Sequence, residues 1–360
     1  MMSASIPQRS FSVLASSPVR TADVGGWTDT WFAEYGLVCS VAIERRVEVR
    51  IDLDPQAEAS VHVTTGIDGS TYTMDPSAPP GHHPMIESAI SALPPSGEAR
   101  IMIGDGVVPG AGLGGSAAVM VALVAALRAA RGERQSRVHV ARVAHGCELS
   151  SGRESGVQDH WASSFGGINR LAVNFPEVRR ERIRVAPAVE RDLTSRLHTV
   201  YFGRSHDSSA LHSMVMATVM SDASMLALDR IRDAAHLAAV ALKVGDLEAY
   251  GAALISNHAA LTRLHRDLIS DDAHLLEQIA RKHRARGWKV NGAGGRGGSM
   301  VVLGPVDPDA DRRLCEAIEA EALWQLLDAP VATHGVVAHL FEHEDPRSPG
   351  SAQWQTGGLR

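Results

Sequence analysis

Cysteine is scarce: the 360 residues hold three, Cys39, Cys147 and Cys315, widely spaced and without a C-x-x-C pair. An odd number in that arrangement excludes a disulfide framework and a zinc ribbon, and a reducing cytoplasm is the expected setting. Basic charge is not in excess either. With a net charge of −6 and a pI of about 6.3, the surface has no positive field to gather nucleic acid or anionic lipid, so any phosphate must be held by local geometry. Long apolar runs are missing. The longest, Ala117 to Leu127, is too short to span a bilayer, and Met1 to Ser17 lacks the apolar segment of an export signal. The chain has no internal repeat and no G-x-x-x-x-G-K-[ST] nucleotide loop. What is present is an ordinary globular mixture, 44% hydrophobic and 21% charged, long enough for about two domains.

Short β-prone runs open the chain: Phe11 to Ala15, Leu37 to Ile43, Val47 to Leu53, Ser60 to Thr65, Thr71 to Met74 and Ala99 to Ile103. Pro84 to Leu93 reads as a short helix. Ala117 to Ala130 is apolar on nearly every face, which predicts a buried helix. Ser136 to Ser150 predicts another, with His145 and Glu148 three residues apart on one face, and a Gly/Ser loop then leads to Gln158. Charged strands follow at Val178 to Val185 and Leu197 to Phe202, then helical patterns at Ser208 to Val244 and Leu247 to His258. A strand-helix-strand pattern closes the chain around Val290, Asp307 to Leu327 and Gly335 to Glu342. A domain boundary is expected near 190/191, giving domains 1–190 and 191–343, with residues 344–360 as a disordered tail.

The loop Pro109-Gly-Ala-Gly-Leu-Gly-Gly-Ser116-Ala-Ala follows a strand and opens the buried helix. Its backbone N–H groups and the positive end of the helix dipole converge on one point, which suits a polyphosphate. Glycine lets the backbone approach phosphate oxygens, and the Ser116 hydroxyl can reach an oxygen or a metal. A glycine-rich turn that only packs a helix on a sheet is the plainer alternative. A dinucleotide fingerprint is matched by Gly110, Gly112 and Gly115, and again by Gly292, Gly294 and Gly297. That fold wants an acidic strand end about 20 residues on, where this chain has Arg131-Gly-Glu-Arg-Gln-Ser.

Three segments in order, Ser17-Pro-Val-Arg20-Thr-Ala-Asp-Val-Gly-Gly-Trp-Thr-Asp29, the glycine loop, and Lys289-Val-Asn-Gly-Ala-Gly-Gly-Arg-Gly-Gly-Ser299, together resemble the GHMP small-molecule kinases. Gly25-Gly-Trp-Thr-Asp-Thr30, Gln158 to Gly167 and Tyr201 to Ser209 are similar to the branch of fucokinases and D-glycero-D-manno-heptose 7-phosphate kinases. The resemblance implies an α+β, two-domain GHMP kinase fold. Its N-terminal domain would be ribosomal-protein-S5-domain-2-like, with a mixed sheet and left-handed crossover, its C-terminal domain ferredoxin-like, and ATP would lie between them. It implies ATP and Mg²⁺ as cofactors and a small-molecule sugar or sugar phosphate as partner. The reaction would be transfer to the anomeric hydroxyl of a pyranose, with D-glycero-D-manno-heptose 7-phosphate as the favoured acceptor; a homodimer is left open. Fucose or galactose, an isoprenoid or amino acid, and a non-catalytic ATP- and sugar-binding regulator are the alternatives.

The same resemblance distributes the site. ATP would be held by Pro109, Gly110, Gly112, Leu113, Gly114, Gly115, Ser116 and Ala117, and the metal by Ser116 and Glu148. Asp159 would be the general base or orienting group and Arg20 the cation that stabilises developing charge. Substrate contacts would come from Gly25, Gly26, Trp27, Asp29, Ser205, Asp207, Gly294 and Gly295. Plainer roles stand beside these: Glu148 paired with Arg142 or Arg153, and Trp27 as a core aromatic. A zinc site of His145, Cys147 and His160 fits no common ligand spacing. Asp23, Gly115 and Arg296 depart from the related sequences. Arg153, Arg170 and Arg204 are candidates to bind a phosphate already on the sugar.

Overall fold

The computed structural model describes residues 9–133, 136–205, 208–219 and 221–342. Asp207 and the 344–360 tail lie outside them. The first sheet has eight strands, β1 (Phe11–Val24), β2 (Tyr35–Asp54), β3 (Ser60–Thr65), β4 (Thr71–Met74), β5 (Glu98–Ile103), β6 (Ile168–Asn174), β7 (Glu177–Ile183) and the distant β12 (Val337–Glu342). Their order is β12-β1-β2-β5-β3-β4, with β6 and β7 continuing from β2. β3 and β5 run parallel and every other pair is antiparallel, so the sheet is mixed.

Sequence reading split β2 at Arg45 and ended β1 at Ala15. β2 runs on because its two halves have different partners, β6 through Tyr35–Val41 and β5 through Val49–Asp54, and β1 runs on because it pairs with β2 from Phe11 to Val24, so polar residues between the apolar runs are carried inside the ladder. Irregularities between Pro18 and Val19 and between Thr21 and Val24 bend β1 around Arg20.

The helix α2 (Gly115–Ala130) lies buried along Ala117–Leu127, as an all-round apolar helix must. It packs on β1 and β2 and carries α1 (Pro84–Ala92), α3 (Arg137–Ser150) and α4 (Gln158–Phe165) around it.

The second sheet orders β11 (Gln325–Leu326), β8 (Leu197–Tyr201), β10 (Ser299–Leu303) and β9 (Gly287–Val290), all antiparallel. Its helices are α5 (Pro187–Arg196), α6 (Ser208–Thr218), α7 (Asp222–Val244), α8 (Leu247–Leu264), α9 (Asp271–Lys282) and α10 (Pro308–Glu319). The expected single helical stretch from Ser208 to Val244 is two helices, because the Ser221 hydroxyl accepts the Ser224 N–H and starts α7 afresh. The 190/191 division falls inside α5, and β12, from the second half, is shared with the first sheet. α10 stops at Glu319 rather than continuing to Leu327, where β11 pairs with β8.

His198 on β8 pins this domain. Its Nδ1 meets Asp328 at 2.9 Å and its Nε2 meets Asp311 at 3.0 Å. Burial works against the charge, but the two carboxylates and Cys315 push the imidazole up to about 12, so it is a cation.

Candidate active site

Three motifs distant in sequence meet where β1 bends. The loop after β5 places Gly110, Gly112 and Gly114 in left-handed backbone and delivers Gly114 as the residue that caps α2. The first intrahelical bond is Ala118 N–H to Gly114 O at 3.0 Å, so the amides of Gly115, Ser116 and Ala117 precede it and form an anion-attracting terminus. They line a cavity of about 640 Å³, within the range of small-molecule sites. Pro109, Gly110 and Gly112 line it too, as does the exposed Ser116.

Arg20 joins this loop to α4. Its Nε donates to Asp159 Oδ1 at 2.8 Å and an NH2 donates to Oδ2 at 3.1 Å, while NH1 donates to the Gly112 carbonyl. The Arg20 backbone N–H also donates to Leu113 O at 3.0 Å. This is the bidentate fork that guanidinium and carboxylate make best. Arg20 is 2% exposed, whereas the Asp159 side chain, at 26%, is open to the cavity.

Asp29, 1% exposed, also lines the cavity. Its Oδ2 accepts the Gln158 N–H at 2.9 Å, and a Cβ at Gly156 would stand 2.1 Å from that oxygen, so only glycine fits there. Burial, with the nearby Asp159 and Asp23 charges, raises the Asp29 carboxyl from 3.8 to about 7. Between those values the folded protein keeps a proton that the unfolded chain has released. The group's contribution to stability is therefore full below about pH 4 and lost as pH rises through about 7. Urea unfolding of Asp29→Asn should show a gain over wild type of about 1–3 kcal/mol at pH 8 relative to pH 5. A difference between the two proteins that is the same at both pH values would mean that Asp29 titrates normally.

Glu148 faces the cavity from α3 and is 6% exposed. It pairs with neither Arg142, which meets Glu177, nor Arg153. His160 Nε2 meets Glu148 Oε2 at 2.9 Å and the Ser155 hydroxyl donates to it at 3.2 Å. Burial opposes ionisation, but these partners hold the Glu148 carboxyl below the usual range. The His145 ring packs edge-on against His160, and burial lowers its imidazole to about 4. An ionised carboxylate and a serine hydroxyl at the helix terminus are hard oxygen donors, the kind magnesium prefers.

Not every expected residue reaches the cavity. Leu113 is core, 2% exposed. Gly25 donates its N–H to Asn257 Oδ1 at 2.7 Å, and its Cβ would lie 2.0 Å from Leu37 O. Gly26 is packed against Asp23 and Gln158, Gly294 against the Leu268 carbonyl and Gly295 against Leu211. These four glycines permit close packing and line no part of the cavity; the third motif contributes Gly292 and Ala293 instead. Ser205 is exposed on a loop outside the cavity. Trp27 is 4% exposed in the second domain's core and also forms part of the cavity wall.

Sequence reading missed the apolar wall of Val47, Ile67, Met85, Ile86 and Val107, and also Gln158, which lines the cavity with a buried Oε1 that has no protein partner. The wall residues come from four separate elements, so no local signal connects them. Gln158 opens the motif Gln158–Gly167, and nothing local in that motif marks its side chain for the cavity.

Residues 85–167 match the family model described as the GHMP kinases N terminal domain. A mevalonate kinase from Saccharolobus solfataricus is 26% identical over 212 residues, which is 58% of this chain and 63% of that enzyme's length. The crystal structure of a D-glycero-D-manno-heptose 1-phosphate kinase from Bacteriodes thetaiotaomicron superposes with a TM-score of 0.71 at 17% identity, covering 92% of this chain and 100% of the other. Lactococcus lactis galactokinase, solved with galactose, gives 0.67 at 15% identity, covering 91% and 95%. Likeness at such low identity carries the fold alone. Residues 85–167 are thus similar to the N-terminal domain of the GHMP kinases, and the α+β, two-domain fold of the chain is the one that these solved structures share.

Proposed function

We propose that this protein is an ATP-dependent, magnesium-assisted phosphotransferase acting on the anomeric hydroxyl of a pyranose, most specifically D-glycero-D-manno-heptose 7-phosphate. The observation that carries the reading is the Arg20–Asp159 fork, set beside the amide terminus of α2 and in one cavity with Ser116 and Glu148. In this arrangement the amides of Gly115, Ser116 and Ala117 hold phosphate oxygens, and Arg20 supplies positive charge where it develops in transfer. Asp159 receives or orients the hydroxyl proton of the acceptor as its oxygen attacks the γ-phosphorus and the bond to the ADP oxygen breaks. Asp29 and Gln158 offer hydrogen bonds to further hydroxyls. Ser116 and Glu148 would hold magnesium, which would supply charge neutralisation to the phosphate oxygens.

The arginines separate in a way that favours an acceptor already bearing phosphate. Arg170 is paired with Glu181 and Arg204 sits on an exposed loop outside the cavity, whereas Arg153, also exposed on a loop, lines the cavity and has no carboxylate partner among the described residues. Coupled ADP release should be measured with heptose 7-phosphate, free heptose, fucose, galactose, mannose and mevalonate. Magnesium-dependent turnover of the heptose phosphate, lost for the free heptose, is the expected result. Preference for mevalonate would overturn the sugar assignment, and turnover of none would overturn the kinase reading.

A further inference from the structure

Asp23 stands on β1 three residues after Arg20, and its carboxylate is fully buried (0% exposed). Lys289, the first residue of the third motif, is 1% exposed. Burying both charges is costly unless geometry and hydrogen bonding compensate. Here they do. Lys289 Nζ donates to Asp23 Oδ1 at 2.9 Å and also to the Val290 carbonyl. The Gly292 N–H reaches both Asp23 oxygens at 3.1 and 3.2 Å, and Arg20 NH2 lies 3.7 Å from Oδ2.

Replacing a buried ion pair by apolar groups of similar volume is often neutral or stabilising. The charges therefore need a reason other than stability, and their contacts supply one. Asp23 Oδ2 stands 3.7 Å from the same Arg20 NH2 that donates to Asp159, so three groups, Asp159, Gly112 O and Asp23, surround the guanidinium. The same carboxylate fixes Gly292, whose Cα region abuts Gly112 so closely that a Cβ would meet its carbonyl at 2.9 Å. Two further bonds run along this seam. Asn291 Oδ1 accepts the Ala22 N–H at 2.9 Å, and the Ser299 hydroxyl donates to Ala111 O at 2.6 Å.

We infer that the buried Asp23–Lys289 pair is a positioning device: it holds Arg20 in register with Asp159 and seats the third glycine turn on the phosphate loop. The pair acts on transfer through Arg20 and touches no substrate itself. This inference rests on the phosphotransferase reading, so its test needs a signal besides turnover.

The test uses Asp23→Asn and the uncharged double variant Asp23→Leu/Lys289→Met in the full chain. Thermal unfolding comes first, since removing both charges together is often neutral in stability, whereas Asp23→Asn leaves Lys289 charged but keeps a side-chain oxygen for Lys289 Nζ and the Gly292 N–H. The double variant should melt near wild type, keep its KM for ATP within a few-fold and lose about 100-fold in kcat, the usual cost of a slightly misplaced group. In parallel, the Arg20 Nε–H resonance of ¹⁵N-arginine-labelled protein, assigned by its loss in Arg20→Lys, should shift and exchange faster with solvent. A folded double variant with wild-type kcat and an unchanged Arg20 signal overturns the proposal. If the double variant fails to fold, the near-isosteric Asp23→Asn decides by the same two readouts. If the wild type shows no turnover at all, the kinase reading fails, and the Arg20 resonance alone still decides whether Asp23 and Lys289 position the guanidinium.

Discussion

Arg20→Ala is expected to lower kcat by about 10²–10³-fold, with KM for ATP changing far less. The asymmetry follows from where Arg20 is anchored. Its side chain grips Asp159 and Gly112 O and does not share the amides at the start of α2 that would hold the ground-state phosphates. Folding should survive, since Asp23 keeps Lys289 and Gly292 as partners and Asp159 is partly open to water. Arg20→Lys should rescue little, because a point-charge ammonium cannot span both carboxylate oxygens and reach Gly112 O as well. Steady-state ADP release with melting as the folding control is the measurement. Activity of Arg20→Ala within tenfold of wild type would remove Arg20 from the mechanism.

Gly114→Ala carries the second large effect. The residue has φ +73°, and a Cβ there would lie 3.0 Å from both Cγ and Oδ2 of Asp159. Left-handed backbone costs an alanine about 1–2 kcal/mol, and the added methyl also displaces the carboxylate that Arg20 holds. A fall in kcat of about 10²-fold is expected from that displacement. Gly69→Ala is the matched control: its φ is also +73°, but a Cβ there meets nothing within 4 Å. It should lose stability on the same scale and keep its activity. Equal activity losses in both variants would mean that backbone strain alone accounts for the effect.

Much of this site was readable along the chain. The all-apolar stretch Ala117–Leu127 specified a buried helix because no polar face was left to expose, and glycines at its start specified a backbone terminus open to a ligand. The i,i+3 spacing of His145 and Glu148 placed them on one face of α3, where both now meet His160. α4 was not legible as a helix. It has only eight residues, and it buries His160, Ser163 and Ser164 beside Trp161, so its polar residues do not mark a solvent face. β12 was legible as a strand but not as a partner of β1, since alternation along a strand carries no information about its neighbour.

The glycines divide along the same line. Sequence reading gave the loop glycines close approach to phosphate and Gly25, Gly26, Gly294 and Gly295 contact with substrate, and these last four line no part of the cavity. What approaches was settled by the fold: at Gly112 and Gly114 it is the cavity and Asp159, at Gly294 the Leu268 carbonyl, at Gly25 the Leu37 carbonyl.

By itself, then, the sequence determined the order of strands and helices around the loop, a glycine-rich backbone terminus at Gly110–Ser116 of the kind that suits an anion, and a short set of charged residues in the motifs around it, because these rest on local backbone freedom and on side-chain chemistry; the α+β fold class came from the family resemblance. The tertiary structure alone decided that Arg20 grips Asp159, that His160 rather than an arginine partners Glu148, and that Asp23, which looked like an irregularity in its motif, is neutralised by Lys289. Those pairings join residues from separate elements, the last of them between the two sheets, and buried charges are neutralised by whatever the folded chain brings within hydrogen-bonding distance.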